Sequence, residues 1–204
     1  MRKILFSRDS ACIQPIRELI ENQKHRMLAL WAVDCAMPVL DFFQARYPEE
    51  KRPYEAIEAA KAWMRGDIKM PAAKKAIYAA HHAAAEALSD PAACAAARAI
   101  GHAAATVHVE THALGLVFYG LTAFVLDASP EDADRIVAEE CKRYYDRLLY
   151  WQTHIDDTER KWAPFLMRED VLNKEKLLRQ KMEQKRERYY GRNRKCFLIL
   201  VLIL

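Results

Sequence analysis

Three histidines, His102, His108 and His112, fall within eleven residues in the segment GHAAATVHVETHALG. His108 and His112 are four apart, so one helical face carries both. Two imidazoles at that spacing can chelate zinc or a similar metal. A complete site needs a third ligand. His102 precedes His108 by six residues, about 600° of helix, which turns it away on an unbroken helix. Glu110 points elsewhere for the same reason. A chain break near Thr106 would change both. The spacing is not the HExxH arrangement of metalloproteases. The competing account makes these rings helix–helix contacts, each with one nitrogen hydrogen-bonded, which small neighbours permit. On this account no metal and no cofactor is expected. The adjacent His81 and His82 point about 100° apart on a helix and do not easily share an ion, so they are expected at the surface or half-buried.

A second polar set lies in HRMLALWAVDC, which holds His25, Arg26, Trp31 and Asp34. Arg26 and Asp34 are two turns apart and share a face without touching. They fit an ion pair to another helix or the lining of a groove. Trp31 and Trp63 are expected in the core, where large aromatic side chains contribute most burial. No nucleophile elbow, glycine-rich phosphate loop, calcium loop or paired-cysteine zinc motif is present, and no spacing selects a catalytic pair. The cysteines Cys12, Cys35, Cys94, Cys141 and Cys196 form no CxxC pair, as suits free thiols in a reducing cytosol.

The elements that must carry these residues are helices. With 5 glycines and 8 prolines in 204 residues, the chain is poor in the turn residues a β-rich fold needs. Punctuation predicts a helix from about Ile16 to Arg46, kinked or split at Pro38. A second is expected from Pro53 to Gly66, and a third from Pro71 to Leu88. Asp90 is the expected cap of a fourth, with Pro91 in its first turn. A break near Thr106–Thr111 divides the fourth helix from a fifth ending near Leu126. Ser129 is the expected cap of a sixth, running to about Asp157, and a charged last helix follows near 171–190. Between Ala72 and Ala105, 18 of 34 residues are alanine, which favours helix and lets backbones approach closely. The fold class is therefore all-α: a multi-helix orthogonal bundle or a short α-solenoid-like array of about six to seven helices.

The expected organisation is a helical domain over 1–160, a charged helix or tail over 161–195, and an apolar run over 196–204. The net charge of +4 is unevenly placed. Between Arg168 and Lys195, eleven Lys/Arg face five Asp/Glu, so the rest of the chain is slightly acidic. The run CFLILVLIL is far shorter than the roughly 20 residues that span a bilayer. No signal peptide is evident at the start, and the expected location is the cytoplasm.

Two stretches together resemble a known family. They are HRMLALWAVDCAMPVLDFFQARYPEEKRPYEAIEAAKAWMRGDI, residues 25–68, and ARAIGHAAATVHVETHALGLVFYG, residues 97–120. Their order and spacing are similar to the bacterial and archaeal immunity proteins with an immunity-protein-like helical domain. The likeness rests on His25-Arg26, Trp31 and Asp34, on Arg52-Pro53 and Trp63 to Gly66, and on Gly101-His102, His108 and His112-Ala113, within roughly residues 20–160. It implies a non-enzymatic protein that binds and neutralises a partner toxin. On this reading His25, Arg26, Trp31, Asp34, Trp63, His102, His108 and His112 are groove or structural residues. The partner is a protein; nucleic acid is not expected. Two other readings stay open: a metal-binding protein or enzyme using His102, His108 and His112, and a peripheral membrane adaptor using the basic helix and apolar run.

Overall fold

The computed structural model describes residues 4–157, 161–168 and 172–201, with side chains up to 188. Residues 202–204 of the apolar run lie outside the described residues, as do the side chains of 196–201. Eight α-helices and two short 3-10 turns make up the described residues, with no strand among them. The helices are α1 (Gln14–Ile20), α2 (His25–Arg46), α3 (Arg52–Met64), α4 (Met70–Glu86), α5 (Pro91–Ala105), α6 (His112–Asp127), α7 (Ala133–His154) and α8 (Lys174–Val201). The fold is an all-α multi-helix bundle, with eight helices where the sequence suggests six or seven.

α5 is the axis, packing against α2, α3, α4 and α6. Every alanine in it is buried. A helix surrounded on all sides must be apolar all round, and alanine keeps its cylinder thin enough for four neighbours. Its start follows the sequence: Asp90 accepts from the Ala93 amide at 3.0 Å, and Pro91 occupies the first turn. α3 likewise opens with Pro53 in its first turn and is followed by Gly66 at φ 78°, a left-handed conformation that glycine adopts without strain.

α2 crosses α5 and carries the largest buried ring. Trp31 is fully buried, and its indole N–H donates to the Tyr144 carbonyl at 3.1 Å, pinning α2 to α7. Trp63 is 7% exposed, so both tryptophans belong to the core. α2 is long and apolar enough to cross a membrane by length and composition, and 67% of that window is buried inside the bundle.

Three boundaries differ from the sequence expectation. The expected helix from Ile16 to Arg46 is broken at residues 21–24. Asn173, distant in sequence, donates to the Ile20 and Gln23 carbonyls at 2.8 and 3.0 Å and satisfies acceptors freed by the break. Pro38, by contrast, sits within a continuous α2. Ser129 does not cap a helix. It forms a turn with Asp132, accepting from its amide at 3.3 Å, and α7 starts at Ala133.

The chain after α7 returns to the body. The Ala163 amide donates to the Met64 carbonyl at 2.7 Å. Asn173 then starts α8, accepting from the amides of Glu175 and Lys176 at 2.9 and 3.4 Å. Glu175 is fully buried and takes a two-pronged contact from Arg8 at 2.7 and 3.0 Å. From Gln180 to Arg188 the side chains are exposed.

Candidate functional site

The break predicted near Thr106 is present and decides where the histidines go. α5 ends at Ala105 and α6 begins at His112. Thr106 turns its hydroxyl back onto the His102 carbonyl at 3.1 Å, a β-branched side chain competing with the helix for its own acceptor. The six intervening residues swing His112 round to His102. Their Nδ1 atoms are 3.0 Å apart, so one ring donates and the other accepts.

The result is a string of imidazoles across three helices. His81 on α4 meets His102 edge-on, with ring centroids 5.3 Å apart. His102 meets His112 at 5.2 Å, and His112 meets His108 at 5.3 Å. Tyr119 stacks on His102 at 5.2 Å, with 14° between planes. Two glycines make room for the string. A Cβ on Gly115 would lie 2.5 Å from Cγ and Nδ1 of His102, and a Cβ on Gly101 would lie 2.6 Å from Cε1 of His81. Both separations are below contact distance, so only glycine fits without displacing a ring.

Burial disfavours the charged form of His102, His108 and His112. Burial pushes His102 down to about 3, and His112, His81, Arg98 and Arg8 add positive charge around it. Burial likewise pushes His108 down to about 4, helped by His112, Lys74, His25 and Lys174. His112 is lowered by burial and by Arg8. Each interior ring, His102 and His112, faces two others. Among the described residues no group of three or more metal-ligating side chains converges. The arrangement suits hydrogen bonding and packing between α4, α5 and α6.

Beside the string lies a small polar cluster drawn together from α2, the break after α5, and α8. His25, at the start of α2, has Nε2 2.7 Å from the Thr106 carbonyl, so that nitrogen carries the proton. Its Nδ1 lies 3.8 Å from buried Glu110, whose other oxygen is 3.8 Å from Lys174 on α8. Phe165 packs edge-on to His25 and also contacts Trp63. His25 is lowered by burial, against the pull of Glu110 and the Thr106 carbonyl. Tyr119 joins the candidates only through tertiary contact, whereas Glu110, weighed beside the histidines in the sequence, lies in the break after α5 and faces His25.

Arg26 and Asp34 act separately and both reach the α7 end of the bundle. Asp34 accepts from Arg147 Nε at 2.7 Å and from the Trp151 indole at 2.8 Å, while Arg26 pairs with Asp156. They stitch α2 to α7 and its following turn. His82 is exposed on α4 and His81 half-buried beneath it, as the sequence suggests.

Fold and site together define an all-helical protein whose most reactive-looking side chains are engaged inside the bundle, with charged residues spread over its outer helices. The chain belongs to the family described as Imm-5 like putative immunity protein, which it matches over residues 18–147, more than half its length. That span runs from α1 into α7 and contains the histidine string, Trp31, Asp34 and Trp63. No curated protein and no solved structure matches the chain.

Proposed function

We propose that this protein is a non-enzymatic immunity protein that acts in the cytoplasm by binding a partner toxin and masking it. The observation that carries this reading is the family match over residues 18–147. Supporting it, the candidate side chains are engaged with one another: His102 with His112, and Asp34 with Arg147 and Trp151. Recognition then falls to the outer surface. The acidic stretch at the start of α7 suits this role through the exposed Glu131 and Asp134, while Asp127 and Asp132 pair with Arg46 and Arg135. Exposed charge of one sign steers an oppositely charged partner and sets the association rate. The expected toxin surface is therefore basic.

The test is co-expression with the product of the neighbouring gene, read as growth protection, together with co-purification of the two chains. The double variant Glu131→Lys/Asp134→Lys should keep the wild-type circular dichroism and melting temperature while association slows at low salt. Absence of both protection and co-purification would sink the reading.

A further inference from the structure

α8 changes character along its length and not around its circumference. Its root is tied to the body. Glu175, fully buried, accepts from Arg8 Nε at 2.7 Å and lies 3.7 Å from Arg17 Nε. Lys176 Nζ donates to Asn22 Oδ1 at 3.3 Å, and Arg179 pairs with Glu21 at 2.9 Å. From Gln180 to Arg188 every side chain is exposed, while the helix itself continues to Val201. At about 1.5 Å per residue, the arm from Gln180 onward is about 30 Å long.

The arm falls into two blocks. Residues 181–195 carry seven Lys/Arg and two Glu, with Tyr189 and Tyr190 among them. The following run, CFLILVLIL, carries no charge. The apolar row that starts at Leu178 and Met182 meets Lys185, Arg186 and Tyr189 at the next helical steps. A seam for a second helix needs apolar residues repeating every three or four positions, and this row does not supply them. The change from polar to apolar lies across the helix axis, which is the kind of boundary a bilayer surface provides. Lys and Arg beside the apolar block, with tyrosines close behind, have the chemistry of its headgroup layer. Anionic headgroups attract a polybasic stretch of this kind. The rest of the chain is slightly acidic, so that attraction selects the arm and not the body.

We propose that α8 is a membrane-engaging arm: its basic stretch docks on anionic phospholipid headgroups, and the apolar run from Cys196 enters the acyl layer beneath them. This goes beyond toxin masking and does not depend on it. The arm holds the body beside a membrane surface, and the buried Glu175 contacts make its root a firm attachment and not a loose tether.

The experiment floats the full-length protein in a density gradient with vesicles of phosphatidylcholine alone, or of phosphatidylcholine mixed with phosphatidylglycerol. The protein should rise with the mixed vesicles, bind them at least about tenfold more tightly than neutral ones, and let go as salt is raised. Lys181→Glu/Lys185→Glu changes two exposed side chains, so it should keep the wild-type melting temperature. Its binding to mixed vesicles should fall by roughly tenfold or more. Leu198→Asp/Val201→Asp should weaken binding by roughly a hundredfold, because carboxylates are excluded from the acyl layer. No flotation, equal flotation with both vesicle types, or undiminished flotation of either variant would overturn the proposal. Sedimentation without vesicles that Leu198→Asp/Val201→Asp abolishes would assign the apolar run to a second copy and overturn it too. Release from mixed vesicles by added RNA, with Leu198→Asp/Val201→Asp binding that RNA as the wild type does, would assign the arm to nucleic acid instead.

Discussion

Acid should destabilise this protein well before its carboxylates protonate, because the imidazole string is folded in its neutral form. The sign follows from linkage. His102 is lowered to about 3 in the folded state from an ordinary value of 6.5. The unfolded chain therefore binds the extra proton as pH falls below 6.5. Stability is complete above that value, declines as pH drops, and levels off near the folded value. At pH 5 the unfolded ring is about 1.5 units into its titration. At about 1.4 kcal/mol per unit, His102 alone costs roughly 2 kcal/mol. His108, lowered to about 4, adds a smaller amount because it is more open to solvent screening. A loss of this size is a large part of a typical folding stability of about 5–15 kcal/mol. The assay is urea unfolding at constant ionic strength at several pH values between 7 and 5. The midpoint should fall steadily across the range. His102→Gln, which keeps a hydrogen-bonding side chain but cannot titrate, should flatten the profile. Equal midpoints at pH 7 and pH 5 would refute the reasoning, as would a His102→Gln profile as steep as the wild type.

Four further outcomes are expected. Gly115→Ala should lower stability by about 1–3 kcal/mol, seen as a reduced melting temperature, because the new methyl group overlaps the His102 ring. Gly101→Ala should cost less, since the atoms it meets are the far end of the His81 side chain. Asp34→Ala should cost about 1–3 kcal/mol in denaturant unfolding, as it leaves the Trp151 indole and Arg147 without their shared acceptor. Asn173→Ala should speed amide hydrogen exchange in the first turn of α8 and around residues 21–24 far more than in α5, because that side chain bridges the two segments.

Where the sequence guides the fold well, the controlling interactions are local. Asp90 and Pro91 start α5 through bonds within one turn, and the β-branched residues after Ala105 end it. The alanine-rich stretch also shows that helices pack closely there, which fixes the all-α class. At the first break, by contrast, the stabilising partner is distant. The break between α1 and α2 depends on Asn173, some 150 residues away, and no local pattern at 21–24 announces it. The site follows the same rule. The pairing of His102 with His112 needed the chain break that the β-branched residues suggest. The joining of His81 and Tyr119 to that pair, and of His25 to Glu110 beside it, depends on how α2, α4 and α6 pack around α5.

The alanine axis also divides the molecule into two zones under different selective pressure. A larger side chain at any buried alanine of α5 must push against packed neighbours, so drift there is checked by folding itself. The charged outer turns of α7 touch few atoms, and exchanges there leave the interior undisturbed. Divergence among chains of this family should gather on that rim and spare the shaft.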